Sequence, residues 1–212
     1  MEDILEKVQT LELLNDVSNV HGTFLKKYIP ELVKYLPKIS NPYLIHNIQV
    51  FLNKKLKLLT VEVKYYTHPY LFLLMIDPSV LLWLKKLLGA LFCLKEIKKV
   101  IDKQKKKELL AFLGEEVYFF VIKQGDLYVP FIEKINGMLE PEFSVNSIET
   151  IGQFLLEYLW CRQPECLVQR FVLRFDAGLS WNFRHVVDSD LQNQLLVLCK
   201  RLLKQREKIG LC

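Results

Sequence analysis

The chain has 212 residues, of which 51% are apolar and 25% charged, with a formal net charge of +5. That apolar share supports a buried core and excludes wholesale disorder, and the length fits one elongated domain or two small ones. With 8 Gly and 8 Pro, most of the chain is free for periodic structure, and its leucine-rich content favours helices.

In chain order, residues 2–17 carry helical spacing at Ile4, Leu5, Val8, Leu11 and Val17. Their opening, MEDILEKVQTLELL, has acidic residues where a secretory signal has a basic block, so it does not resemble such a signal. A second helix is expected over Thr23–Leu36, stopping near Pro37. Asn41-Pro42 has the order of a helix cap followed by a first-turn proline, and its helix would turn Leu44, Ile48, Phe51 and Leu52 inward. LTVEVKYY (59–66) alternates weakly and reads as a short strand or an extended connector.

Asp77-Pro78 repeats the cap-and-proline order and opens the best-marked helix. Leu84, Leu87, Leu91, Leu94, Ile97 and Ile101 follow at helical spacing as one apolar stripe. With Leu84 at zero and about 100° per residue, the stripe covers roughly 220–360° and Lys98 lands inside it, near 320°. That conflict predicts a kink or end near Glu96 and a separate, more exposed helix beyond. Asp77-Pro78 and Lys85-Lys86 also divide the most apolar region, so it lacks the ~20 uninterrupted apolar residues of a membrane span.

A further helix is expected at about 105–113, ended or bent by Gly114, while YFFVIKQ (118–124) suits a strand or a buried helix. Gly125-Asp126 gives a turn, 128–138 a short helix, and 138–144 a loop between halves. Asn146 and Glu149 have capping-box spacing ahead of a helix that ends by Pro164. QRFVLRFD (169–176) alternates and reads as a short half-buried strand, with a helical turn as the alternative. Ser189-x-x-Gln192 is a capping box opening a final amphipathic helix. The expected fold is mainly α, a compact multi-helix protein with at most one short β-hairpin or isolated short strands. Residues 1–140 form an N-terminal helical region with a basic middle, and 141–212 a C-terminal helical region packed on it as one unit.

The charge is concentrated. Lys85 to Glu108 holds nine lysines and three acids, a local +6, so the rest of the chain sums to −1. Such a run suits a solvated or protein-binding face, acidic lipid headgroups, or nucleic acid. It lacks the interleaved aromatics that stack on bases, so no nucleic acid is expected as partner. Lys98, Lys99, Lys103 and Lys106 are the candidates to meet an acidic partner surface or a peripheral anionic membrane surface.

Chemistry-bearing patterns are sparse. The histidines at 21, 46, 68 and 185 are isolated, and Cys161-x4-Cys166 has no matching second pair. No glycine loop for phosphate and no G-x-S-x-G elbow occurs, and Glu115-Glu116 are helix neighbours that do not face each other. No catalytic, cofactor-binding or metal residue is assigned, and the chain is read as a non-enzyme. The five cysteines are odd in number and lack a framework spacing, which fits buried thiols in a reducing compartment. Trp83 and Trp160 lie in apolar helices and read as core, whereas Trp181 follows Gly178-Leu179-Ser180 and reads as an exposed anchor.

Two segments carry a resemblance. LLWLKKLLGALFCLKEIKKVIDKQKKKELLAFLGEEVYFFVIKQ joins a glycine-containing leucine helix to a basic pair and a second leucine helix ending near glycine. The positions are Leu87, Leu88, Gly89, Leu94, Ile97, Lys98, Lys99, Leu109, Leu113 and Gly114. SIETIGQFLLEYLWCRQPECLVQRFVLRFDAGLSW adds Arg170, Leu173 and Arg174 in an arginine-and-leucine segment. In both the chain resembles the SctK/YscK family, small cytosolic accessory proteins of type III secretion systems. YIPELVKYLP and LLVLCKRLLKQREKIGLC are similar to that family's entry region and closing basic helix. Lys98-Lys99 stands where the family has an arginine pair, and Asp176-Ala177 where a proline often follows. The resemblance implies a non-enzymatic adaptor of the cytosolic sorting platform. Its partners would be the cytoplasmic domain of the inner-membrane ring protein and the pod protein, and its place the cytosolic face of the bacterial inner membrane. It also makes Arg170 and Arg174 interface candidates. The alternative is a nucleic-acid-binding or regulatory helical protein.

Overall fold

Asn41 and Asp77 act as their sequence positions predict. Asn41 Oδ1 accepts the Tyr43 amide at 3.0 Å, and Asp77 Oδ1 accepts the Ser79 amide at 2.7 Å, each beside a proline in the first turn. The computed structural model describes residues 25–27, 30–33, 41–65, 67–130 and 144–208. The helix expected at 2–17 and the loop at 138–144, up to residue 143, lie outside them, as do most of the 128–138 helix and parts of that at 23–36. The helices in chain order are α1 Pro30–Val33, α2 Pro42–Lys55, α3 Leu71–Met75, α4 Pro78–Phe92, α5 Leu94–Lys99, α6 Lys103–Leu113, α7 Glu115–Gln124, α8 Val145–Trp160, α9 Glu165–Val172 and α10 Ser189–Lys208. The fold is mainly α, and no β-strand occurs among the described residues.

Two compact units emerge, neither continuous in sequence and neither following a division at residue 140. One comprises Met1–Leu81 with Gln163–Trp181, the other Leu82–Arg162 with Asn182–Cys212.

In the first unit, Ile48 and Leu52 of α2 are buried as expected, but Leu44 and Phe51 stand partly exposed. Neither expected strand forms, and the reason is visible in the hydrogen bonds. Leu59 donates its amide to Gln169 Oε1 at 2.8 Å, and its carbonyl accepts from Arg170 at 2.8 Å. Side chains of α9 thus meet the polar needs that a neighbouring strand would have met. Residues 169–176 are likewise helical turns, with Arg174 N donating to Phe171 O and Phe175 N to Val172 O. The alternation seen in that sequence was incidental. Arg170 and Arg174 are buried together with Phe171, Leu173 and Phe175, so the effective spacing is one of three and four residues.

In the second unit, α4 and α8 approach with backbone against backbone. A Cβ on Gly89 would stand 2.0 Å from the Ile148 carbonyl oxygen, and one on Gly152 2.2 Å from that of Lys85. Only glycine fits such a crossing. Lys85 is 1% exposed there, and its Nζ reaches Glu149 Oε1 at 2.9 Å. Around it Leu84, Leu87, Leu88 and Leu91 of α4 are fully buried, as are Leu155, Leu156 and Leu159 of α8.

The helix ends in this unit differ from their sequence reading. The capping box of α8 is formed by Ser144 with Ser147, ahead of the expected Asn146 with Glu149. Asp188 caps α10, accepting the amides of Asp190 at 2.8 Å and Leu191 at 3.2 Å. Gln192 is thereby freed to act elsewhere, and its Nε2 donates to the carbonyls of Tyr158, Leu159 and Cys161 at 2.9–3.2 Å. It therefore closes the C-terminal end of α8, where helical carbonyls lack partners of their own.

Candidate interaction surface

The stripe from Leu84 to Ile101 does not run as one helix. It breaks at Cys93, between α4 and α5, and again at Val100–Asp102, between α5 and α6. The breaks resolve the conflict posed by Lys98. Leu94 and Ile97 stay buried, while Lys98 points outward and pairs with Asp126 at 2.5 Å. Both partners are solvated, so the pair is worth only tenths of a kcal/mol. Ile101, expected inside, is 93% exposed, because the second break removes it from the helical register of the stripe.

Of the nine lysines between 85 and 108, two serve the core. Lys85 is the buried partner of Glu149, and Lys86 Nζ donates to the Phe112 carbonyl at 2.7 Å, lying 5.1 Å from the centre of its ring. The other seven, Lys95, Lys98, Lys99, Lys103, Lys105, Lys106 and Lys107, are all exposed. Lys98, Lys99, Lys103 and Lys106 therefore share one outward segment. Asp102 starts α6 by accepting the Lys105 amide at 2.8 Å, and Gly114, at φ 80°, ends it. The first turn of α6 holds no acidic residue.

The remaining sequence candidates have other roles. Arg170 is 7% exposed and donates to the carbonyls of Leu59 and Cys166 at 2.8 and 3.0 Å. Arg174 is 3% exposed and donates to Leu74 O at 2.5 Å and to Ile76 O, where α3 ends. Both guanidiniums are internal fasteners of the first unit and so cannot present the contact surface expected of them. Trp181 packs edge-on against Phe171 at 5.5 Å and tilted against Phe175 at 4.7 Å, with its indole nitrogen buried, so it packs inward and is no outlying anchor. Trp83 and Trp160 are buried, as read.

A cleft of about 220 Å³ in the second unit escaped the sequence reading. Trp83, Phe119, Phe120 and Lys123 line it together with Glu116 and Arg206. Arg206 lies 5.2 Å over the Trp83 ring and 3.4 Å from Glu116, while Lys123 lies 5.7 Å over Phe119, itself 48% exposed. Glu116 is thus an ion-pair partner at the start of α7. Lys123 and Phe119 are i, i+4 neighbours on α7, whereas the Arg206–Trp83 pair joins helices distant in sequence and no local pattern announces it.

One cluster has the residue types of thiol chemistry. Glu157 is buried and accepts from Gln153 at 2.9 Å, with His185 Nε2 at 3.1 Å and Cys161 one turn further along. Cys161 is fully buried, and burial pushes its thiol up, the reverse of an activated thiolate. These groups instead pin residues 185–188 to α8, assisted by Tyr158, whose hydroxyl accepts the Asp188 amide at 2.8 Å. Among the described residues, no group of three His, Cys, Asp or Glu is placed to hold a metal ion, and no helix is long and apolar enough to cross a membrane. Cys93, Cys161, Cys166 and Cys199 are buried, and none of them forms a disulfide among the described residues. No protein-family model, no curated protein and no solved structure matches the chain.

Proposed function

We propose that this chain is a non-enzymatic adaptor of the cytosolic sorting platform of a bacterial type III secretion system. It would join the cytoplasmic domain of the inner-membrane ring protein to the pod protein, at the cytosolic face of that membrane. The reading rests on the resemblance to the SctK/YscK family over 81–124 and 147–181. It is supported by the division of labour in the second unit. Leucines of α4 and α8 are taken up by the core, while seven lysines and a half-exposed aromatic cleft are turned outward. The cleft lined by Trp83, Phe119 and Arg206 is the observation that carries it, since a few aromatic and arginine anchors give an adaptor affinity while flanking charge gives it register and partner choice.

The test is reconstitution. Mixed with the purified ring-protein domain and the pod protein of the same bacterium, the chain is expected to elute with both as one complex. Separate elution of the chain from each refutes the adaptor reading.

A further inference from the structure

Ile101 is the most exposed large apolar side chain described, and it stands in the three-residue connection between α5 and α6. Lys98 and Lys99 precede it, and Lys103, Lys105, Lys106 and Lys107 follow, all exposed. At about 1.5 Å of rise per helical residue, these ammonium groups sit within about one Debye length of the isoleucine. We infer that this connection is a membrane-surface foot, in which Ile101 enters the acyl boundary of an anionic bilayer while the flanking lysines engage lipid headgroups.

Folding alone does not account for the arrangement. Lys103, Lys105, Lys106 and Lys107 crowd the first turns of α6, where the helix dipole is positive and the Asp102 cap sets a single negative charge against four lysines. A residue pattern that opposes its own helix marks a place where binding is served instead. The chemistry of the segment selects the partner. Between 95 and 107 its cations are seven lysines and no arginine, against Glu96 and Asp102, and it holds no aromatic residue. Protein interfaces favour arginine and aromatics and are depleted in lysine. Single-stranded nucleic acid calls for stacking platforms, which this segment lacks. A bilayer asks only for diffuse positive charge and an aliphatic group, and two such signals together are what reversible anchoring needs. The foot is compatible with the adaptor reading but does not depend on it.

The test uses the purified full chain in flotation with vesicles of phosphatidylcholine alone and of phosphatidylcholine with an equal part of phosphatidylglycerol. The chain is expected to float with the anionic vesicles only, and to lose binding between about 0.1 M and about 1 M salt as screening shortens. Each lysine near the surface is worth about fivefold in partition, so the triple change Lys99→Glu, Lys103→Glu and Lys106→Glu should lower it more than ~100-fold. Ile101→Asn should lower it about tenfold while Ile101→Leu preserves it. All these side chains are exposed, and unchanged circular dichroism verifies that each variant is folded. Failure to float with anionic vesicles, equal binding to neutral ones, or indifference to Ile101→Asn overturns the inference. Tighter binding to duplex DNA in the same buffer overturns it too. Reconstitution with the ring and pod proteins can succeed while flotation fails, and the reverse, so the two readings fall separately.

Discussion

Replacing Gly152 with alanine probes the crossing on which the second unit is built. The new Cβ would meet the Lys85 carbonyl oxygen at 2.2 Å, where contacts below 3.0 Å essentially never occur. Because the obstacle is backbone, the helices must part by about 1 Å or bend. At an exposed helical site the same change would stabilise by about 1 kcal/mol through helix propensity. Here overpacking costs about 1–3 kcal/mol, and separation also loosens the contact of buried Lys85 with half-exposed Glu149, so a net loss of about 2 kcal/mol is expected. Gly89→Ala meets the Ile148 carbonyl oxygen from the opposite helix and should cost a similar amount. A single separation relieves both contacts, so the double variant should lose less than the sum, by about 1 kcal/mol. Urea unfolding followed by circular dichroism reads these losses as a lowered midpoint at unchanged slope. A Gly152→Ala protein more stable than the parent would refute the close crossing.

Other perturbations read other parts of the fold. Arg174→Ala leaves the Leu74 and Ile76 carbonyls without their guanidinium and should cost ~2–4 kcal/mol in the same urea assay, whereas a surface arginine would cost almost nothing. His68 accepts the Tyr70 amide at Nδ1, and burial holds its pKa below 6.5. Between that lowered value and 6.5 the unfolded chain binds more protons, so stability falls as pH drops through this window and levels off below it. His68→Gln should flatten that part of the pH profile, and an unchanged slope would contradict the assignment. Cys93 and Cys199 are pushed up to about 12 by burial, and Cys161 is raised as well. In a Cys212→Ser background, a thiol reagent should therefore label the chain only after unfolding, and rapid labelling of the native protein would contradict the packing.

The sequence reading succeeded where a local signal had a local cause. Asn41-Pro42 and Asp77-Pro78 opened helices because cap and proline act on neighbouring amides, and Gly114 ended α6 because its φ of 80° suits glycine. The misplacement of Lys98 on the apolar stripe correctly announced a break, although the break at Cys93 lay three residues earlier than expected and a second one exposed Ile101. Failures came where partners lie far apart in sequence. Arg170 and Arg174 looked like surface charges, and only carbonyls 98 to 111 residues away reveal them as fasteners. Gln192 had the spacing of a capping box, but its acceptors are more than thirty residues back in α8. The cleft at Trp83 and Arg206 joins residues from separate helices and has no sequence signature at all.

The adaptor account is tested most directly in cells. The tagged chain would be purified from secreting bacteria under mild lysis and its two most abundant companions identified by mass spectrometry. The account predicts the inner-membrane ring protein and the pod protein together. Recovery of the chain with neither, at yields that retain its other companions, would contradict it.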